Sequence, residues 1–156
     1  MAGEVGVGLI GGGLMGKELA AAIGRWAGIE QHPARPRLVA VCDTNPDVLA
    51  WFERIDTVRL RTADYRELLA DEAVEVVYIA LPHHLHEQVY ADAVAAGKDF
   101  LGEKPFGIDL AAAERLVAAI EARPGRCPRS SCRARRTRSL PRRWGRTCTA
   151  RFAAAC

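Results

Sequence analysis

The chain has 156 residues, 49% of them hydrophobic and 26% charged, a length and balance that fit one soluble domain with a buried core. No apolar run approaches the eighteen or so residues of a membrane span, and no leader precedes the first strand pattern, so a cytoplasmic protein is expected. The net charge of +3 hides an asymmetry: residues 1–122 carry 11 Lys and Arg against 19 Asp and Glu, whereas residues 123–156 carry 11 Arg and no acid.

Val5–Ile10 is apolar throughout, as a strand covered on both faces of a parallel sheet must be. Gly11–Gly13 turn the chain, and Met15, Leu19, Ile23 and Trp26 then recur on one helical stripe that stops at Gly28. Residues 29–36, with Pro33 and Pro36, are expected as a loop. Leu38–Cys42 is a second strand ending at Asp43, after which Thr44 or Asn45 caps a helix with Pro46 at its first position. A short strand over Thr57–Arg61, a helical segment over Asp64–Ala70 and a strand over Val74–Leu81 follow. Leu85, Val89, Ala93 and Ala96 mark a helix stopped by Gly97, and Asp99–Gly102 is the fifth strand. Asp109 caps a last helix that turns Leu110, Ala113, Val117 and Ile120 inward. Strands alternating with helices imply an α/β fold, a doubly wound parallel sheet in Rossmann order over residues 4–103.

Three positions in this pattern bear on chemistry. Gly11-x-Gly13-x-x-Gly16 follows a strand and opens a helix, the context in which it binds a dinucleotide rather than making an ordinary glycine turn. Gly11 makes the tight turn, Gly13 lets the backbone approach a pyrophosphate, and Gly16 lets the helix lie close to the sheet. The free N–H groups at the helix start then face the phosphates. Asp43 ends the second strand, where a carboxylate accepts from the adenosine ribose and repels a 2′-phosphate; NAD is favoured, with NADP left open. The plainer reading of Asp43 is a turn former. Lys104, beside Glu103, follows the fifth strand at the sheet edge where ligands sit, and a lysine there can orient a substrate hydroxyl or exchange its proton. Its alternative is a surface lysine. Cys42 is read as a small buried thiol, and no metal site is expected.

With these motifs the chain resembles the Gfo/Idh/MocA oxidoreductases over roughly residues 4–122. Gly11-Gly12-Gly13-Leu14-Met15-Gly16 looks like the phosphate loop of that family, Leu81-Pro82-His83-His84-Leu85-His86 like its Thr-Pro-Asn-x-x-His segment, and Glu103-Lys104-Pro105 like its Glu-Lys-Pro signature. His83 stands where the family has Asn. The resemblance implies an NAD(P)-dependent hydride transfer at a hydroxyl or carbonyl of a sugar, inositol or related polyol. It implies that Leu14 and Met15 belong to the cofactor loop and that Leu81, Pro82 and His86 line the cofactor cleft. It implies that Glu103 and Lys104 face nicotinamide and substrate, with Lys104 catalytic.

The family continues with a sixth strand and a second, substrate-binding domain. Here residues 1–122 are expected to form the dinucleotide-binding domain, and 123–156 a basic Arg- and Cys-rich tail that is disordered or foreign to the fold, an out-of-frame extension being the hypothesis. The chain is then only the cofactor half and inactive alone, prone to associate with itself through an exposed fifth strand. The alternative is a non-catalytic dinucleotide module whose tail contacts acidic partners or nucleic acid. With one Trp and one Phe in the tail to stack bases, nucleic acid is the lesser expectation.

Overall fold

A computed structural model describes residues 3–29 and 34–123. Five strands, β1 (Gly3–Ile10), β2 (Ala34–Cys42), β3 (Leu60–Thr62), β4 (Val76–Ile79) and β5 (Asp99–Gly102), form one sheet in the order β3-β2-β1-β4-β5. Every pairing is parallel. Between them run α1 (Leu14–Gly24), α2 (Pro46–Trp51), α3 (Tyr65–Ala70) and α4 (His86–Ala95), and α5 (Leu110–Glu121) follows β5. The register puts Thr62, Cys42, Ile10, Ile79 and Gly102 side by side in one row. All five strands therefore end together, and the segments that leave them open on one carboxyl edge.

Successive side chains of a strand point to opposite faces, and the core divides accordingly. Ile10, Cys42, Val77 and Ile79 pack with Leu68, Val89, Tyr90 and Leu116 from α3, α4 and α5. Leu9, Val41 and Tyr78 pack on the other face with Ala20 of α1 and with Phe52. Three of the five helix starts, those of α2, α3 and α5, carry a side-chain cap. Asn45 and Asp64 accept from the N–H two residues on, Asp109 accepts from Ala112, and Pro46 occupies the first position of α2.

Several boundaries differ from those expected. Strand β2 begins at Ala34, inside the segment read as a loop, and includes Pro36. Pro36 pairs with Val5 on one side, while β3 reaches only Ala40–Cys42, so the missing N–H breaks no ladder there. Strand β3 starts at Leu60, because Thr57 and Arg59 are spent on single bonds to the Leu38 and Val39 carbonyls. Met15 leaves the buried stripe of α1 and is exposed at the glycine loop.

The inward face of α5 is Ala112, Leu116 and Ile120, whereas Leu110 is 75% exposed and Val117 42%. An alanine at the closest point of contact lets the helix approach, and the larger aliphatics misled the choice of stripe. Arg123, placed in the tail from sequence, belongs to the fold. Its guanidinium donates to the Lys98 carbonyl and to Asp99 at 3.0 Å each, and to the Gly97 carbonyl. The rest of the basic tail lies outside the described residues. No described helix is long and apolar enough to cross a membrane.

Candidate functional site

Four segments converge at the carboxyl edge of the central strands: 11–16, 43–45, 80–86 and 103–106. Gly11 turns the chain after β1 with φ +94°, and its N–H donates to the Cys42 carbonyl at 2.9 Å. A Cβ on Gly11 would sit 2.2 Å from the Ala80 oxygen, and one on Gly16 would sit 2.4 Å from the Gly11 oxygen. One on Gly12 would meet Val48 and Phe52 within 2.8 Å. Gly13 alone of the four faces open space, with nothing within 4 Å. It also caps α1 without any side-chain bond to the first-turn N–H groups. These groups point outward with no partner from the cap, beside exposed Leu14 and Met15. The cradle fits an anionic phosphate that approaches the backbone at Gly13.

Asp43 is tied to this loop. Its Oδ2 accepts from the Gly12 N–H at 2.8 Å and its Oδ1 from the Asn45 N–H at 2.9 Å. Each oxygen keeps a further lone pair. The sequence offered the choice of ribose ligand or turn former, and the geometry makes the turn-forming bonds while leaving acceptor capacity over. Cys42, beneath it, is buried. Desolvation, followed by the charges of Asp43, Asp64 and Glu67, pushes its thiol up to about 12.

On the far side of β1, β4 and β5 hold the Glu103–Pro105 turn. Glu103 N–H donates to the Ile79 carbonyl at 3.1 Å, continuing the ladder one residue past β5. The Tyr78 phenol donates to Glu103 Oε1, and the Tyr90 phenol donates to the Glu103 carbonyl at 2.7 Å. Burial raises both phenols above their usual range, with Glu103 as the next cause in each. Tyr90 stacks with His86, Phe100 and Phe106. A Cβ on Gly102 would lie 2.6 Å from the Tyr90 ring, which explains the glycine before Glu103. Lys104 is exposed and makes no hydrogen bond or ion pair among the described residues, and its peptide bond to Pro105 is cis.

The 80–86 segment departs from the expectation in one respect. Leu81 is half-buried, packed against the core beside Gly11, and Pro82 is exposed at the edge. The ring of His86 is 1% exposed and is closed off from the cleft, its two nitrogens facing the carbonyls of Leu81 and Pro105. Apolar packing by Tyr90 and the need to satisfy both nitrogens turn it inward. His83 and His84 are exposed in a single 3-10 turn before α4. Among the described residues, no three His, Cys, Asp or Glu side chains gather as metal ligands. A cavity of about 460 Å³, lined by residues such as Glu4, Ile23 and Arg35, lies at the opposite edge of the sheet.

Sequence reasoning missed Tyr78 and Tyr90. The available signal was a tyrosine inside the aliphatic run of β4 and another on the buried stripe of α4, since a buried phenol must find a partner.

Comparison with known proteins agrees with this arrangement. Levoglucosan dehydrogenase of Pseudarthrobacter phenanthrenivorans is 37% identical over 103 residues, covering 64% of this chain and 26% of that protein. The D-xylose 1-dehydrogenase (NADP(+)) of Hypocrea jecorina is 38% identical over 93 residues, 57% of this chain and 24% of its own. The match thus spans about a quarter of the length of these two relatives. Among solved structures, levoglucosan dehydrogenase in complex with NADH superposes with a TM-score of 0.70 at 31% identity, over 77% of this chain and 32% of that one. Apo scyllo-inositol dehydrogenase from Lactobacillus casei gives 0.69 at 27% identity, over 79% and 35%. The family model whose description is an oxidoreductase family with an NAD-binding Rossmann fold matches residues 5–128. A match of that extent, on a parallel sheet with its glycine loop at the carboxyl edge, makes this chain a member of the Gfo/Idh/MocA oxidoreductases.

Proposed function

We propose that the chain is the cofactor-binding part of an NAD-dependent dehydrogenase acting on a hydroxyl or carbonyl of a sugar, inositol or related polyol. The observation that carries this reading is the glycine loop: three of its glycines are required by contacts within the protein, and the fourth, Gly13, is free toward the cleft. The nicotinamide dinucleotide, when bound, accepts or supplies hydride. Gly13 and the first N–H groups of α1 hold its phosphates, Leu14 and Met15 flank them, and Asp43 accepts from the adenosine ribose. The Asp43 carboxylate disfavours a 2′-phosphate, so NAD is preferred to NADP. Leu81 and Pro82 form the adjoining wall.

Lys104 is the catalytic residue of this proposal. Its ammonium has no partner among the described residues, so it is available to bond a substrate oxygen and to move a proton as that oxygen changes between hydroxyl and carbonyl. Glu103 accepts from Tyr78 through Oε1 and forms no ion pair with Lys104 among the described residues. Residues 1–122 are the working unit, with Arg123 closing it. The described residues build one wall of a cleft, so the chain alone is expected to bind NADH and to turn over little or no substrate. The outer side of β5 has no partner strand among the described residues, and copies are expected to associate there.

Fluorescence titration with NADH tests the cofactor site, and a screen of sugars, inositols and polyols by nicotinamide absorbance tests the activity. Lys104→Ala is expected to leave NADH affinity within about threefold of wild type, a change under 1 kcal/mol, and to abolish whatever turnover exists. Absence of NADH binding by the folded chain refutes the reading. NADH binding with no turnover, even when the chain is joined to a relative's substrate domain, supports the non-catalytic module instead.

A further inference from the structure

The two turns that flank the cleft are joined by one buried side chain. His86 Nε2 lies 2.8 Å from the Leu81 carbonyl oxygen, and His86 Nδ1 lies 2.8 Å from that of Pro105. Carbonyl oxygens only accept, so a ring with one bare nitrogen satisfies one of them and turns a lone pair on the other. The Tyr90 hydroxyl is 3.2 Å from Nδ1, but its single hydrogen is committed to the Glu103 carbonyl at 2.7 Å. Toward the ring, Tyr90 is therefore an acceptor as well. The ring is also held in place by stacking on Tyr90, with 4.9 Å between centroids.

We propose that His86 is a positioning residue that donates from both ring nitrogens, tying the Leu81 turn to the Lys104–Pro105 turn and so fixing where Lys104 stands. The part that concerns Lys104 rests on the function proposed above; the tie itself does not. The titratable and charged groups near the ring come from several elements. Tyr90 comes from α4, and Tyr78 and Glu103, bonded to each other, come from β4 and the end of β5. The His83 ring is 5.6 Å away on the preceding turn, and Glu87, next on α4, is turned to Arg115 of α5. Lys104 precedes Pro105 and is exposed. A ring with one bare nitrogen makes only one of the two bonds.

The test uses the full chain. Long-range proton–nitrogen NMR at neutral pH reads whether each nitrogen of His86 carries hydrogen; two N–H groups are expected, and a ring with one bare nitrogen overturns the proposal. Hydrogen–deuterium exchange by mass spectrometry reads the tie. His86→Phe keeps a ring for Tyr90 to stack on and donates nothing, and is expected to raise exchange over residues 102–108 by about tenfold or more while leaving β1 and α1 unchanged. His86→Gln keeps a donor and is expected to raise it less. A rise spread evenly along the chain, or none, overturns the proposal; if His86→Phe does not fold, the NMR result and His86→Gln decide. NADH titration separates the two readings. A wild type that binds no NADH refutes the proposed function and not the tie. A His86→Phe protein with an opened 102–108 segment whose Lys104-dependent turnover, measured with the chain joined to a relative's substrate domain, equals that of wild type refutes the positioning role.

Discussion

Replacing Gly13 by alanine separates binding from folding at the glycine loop. The added Cβ meets no atom within 4 Å, and the φ of −63° is one that alanine adopts freely. Alanine is a poorer helix cap than glycine, which costs about 1 kcal/mol at most, while the reduced freedom of the unfolded chain offsets about 0.4–1 kcal/mol. The net change in stability is therefore within about 1 kcal/mol, or roughly 5 °C in melting temperature. On the proposed assignment, however, the methyl group stands where the pyrophosphate approaches the first N–H groups of α1. Losing hydrogen bonds to a charged partner costs about 1.5–3 kcal/mol, which lowers NADH affinity by about 10- to 150-fold. A melting curve and an NADH fluorescence titration on the same sample read both quantities. Gly16→Ala provides the contrast: its Cβ would lie 2.4 Å from the Gly11 oxygen, so it is expected to lower the melting temperature even without ligand. If Gly13→Ala melts like wild type and binds NADH within about twofold of it, the phosphates do not approach at Gly13 and the assignment of the loop is wrong.

Asp43→Ala is expected to weaken NADH and to narrow the difference between NADH and NADPH; an unchanged ratio in the two titrations would count against the ribose role. Leu116→Ala, at the buried centre of α5, is expected to cost about 2–5 kcal/mol in urea denaturation, and Leu110→Ala, on the exposed side, within about 0.5 kcal/mol. The reverse order would restore the stripe first read from sequence. Tyr78 and Tyr90 both sit above the ordinary phenol range when folded, first through burial and then through Glu103. Their contribution to stability is thus complete below about pH 10, the value of an unfolded phenol, and is lost as the pH rises through the folded values. Tyr90→Phe is expected to lower stability at neutral pH by about 1 kcal/mol and to flatten the alkaline fall in melting temperature. Equal alkaline slopes for the two proteins would show that this phenol is not responsible.

Alternation and glycine placement made most of the fold legible. Asp99–Gly102 was read to the residue because Gly97 turns the chain before it, and the structure adds that the Tyr90 ring leaves room only for a glycine at 102. The start of β2 was obscured by Pro36, which is harmless only because β3 is too short to need its N–H, a property of the partner and not of the strand. The stripe of α5 went wrong for a related reason: side-chain volume says how much a residue gains by burial and not which face meets a neighbour. At the site, the two positions open toward the cleft, Gly13 with its bare backbone and Lys104 with its exposed ammonium, were visible from motif and position. Those that act on other parts of the protein, Tyr78, Tyr90 and His86, were hidden within apolar runs or mistaken for part of the cleft, since their partners are carbonyls and a carboxylate far along the chain.

The unequal crowding around the loop glycines has a meaning for descent. Gly11, Gly12 and Gly16 are constrained by Ala80, by Val48 and Phe52, and by the loop itself, whatever the protein binds. A lineage that abandoned its cofactor while keeping this sheet would have to retain those three and would be at liberty to change Gly13. Among descendants of such a chain, Gly11, Gly12 and Gly16 record the architecture, and on the function proposed above position 13 is the glycine of the loop that records whether a dinucleotide is still being selected for.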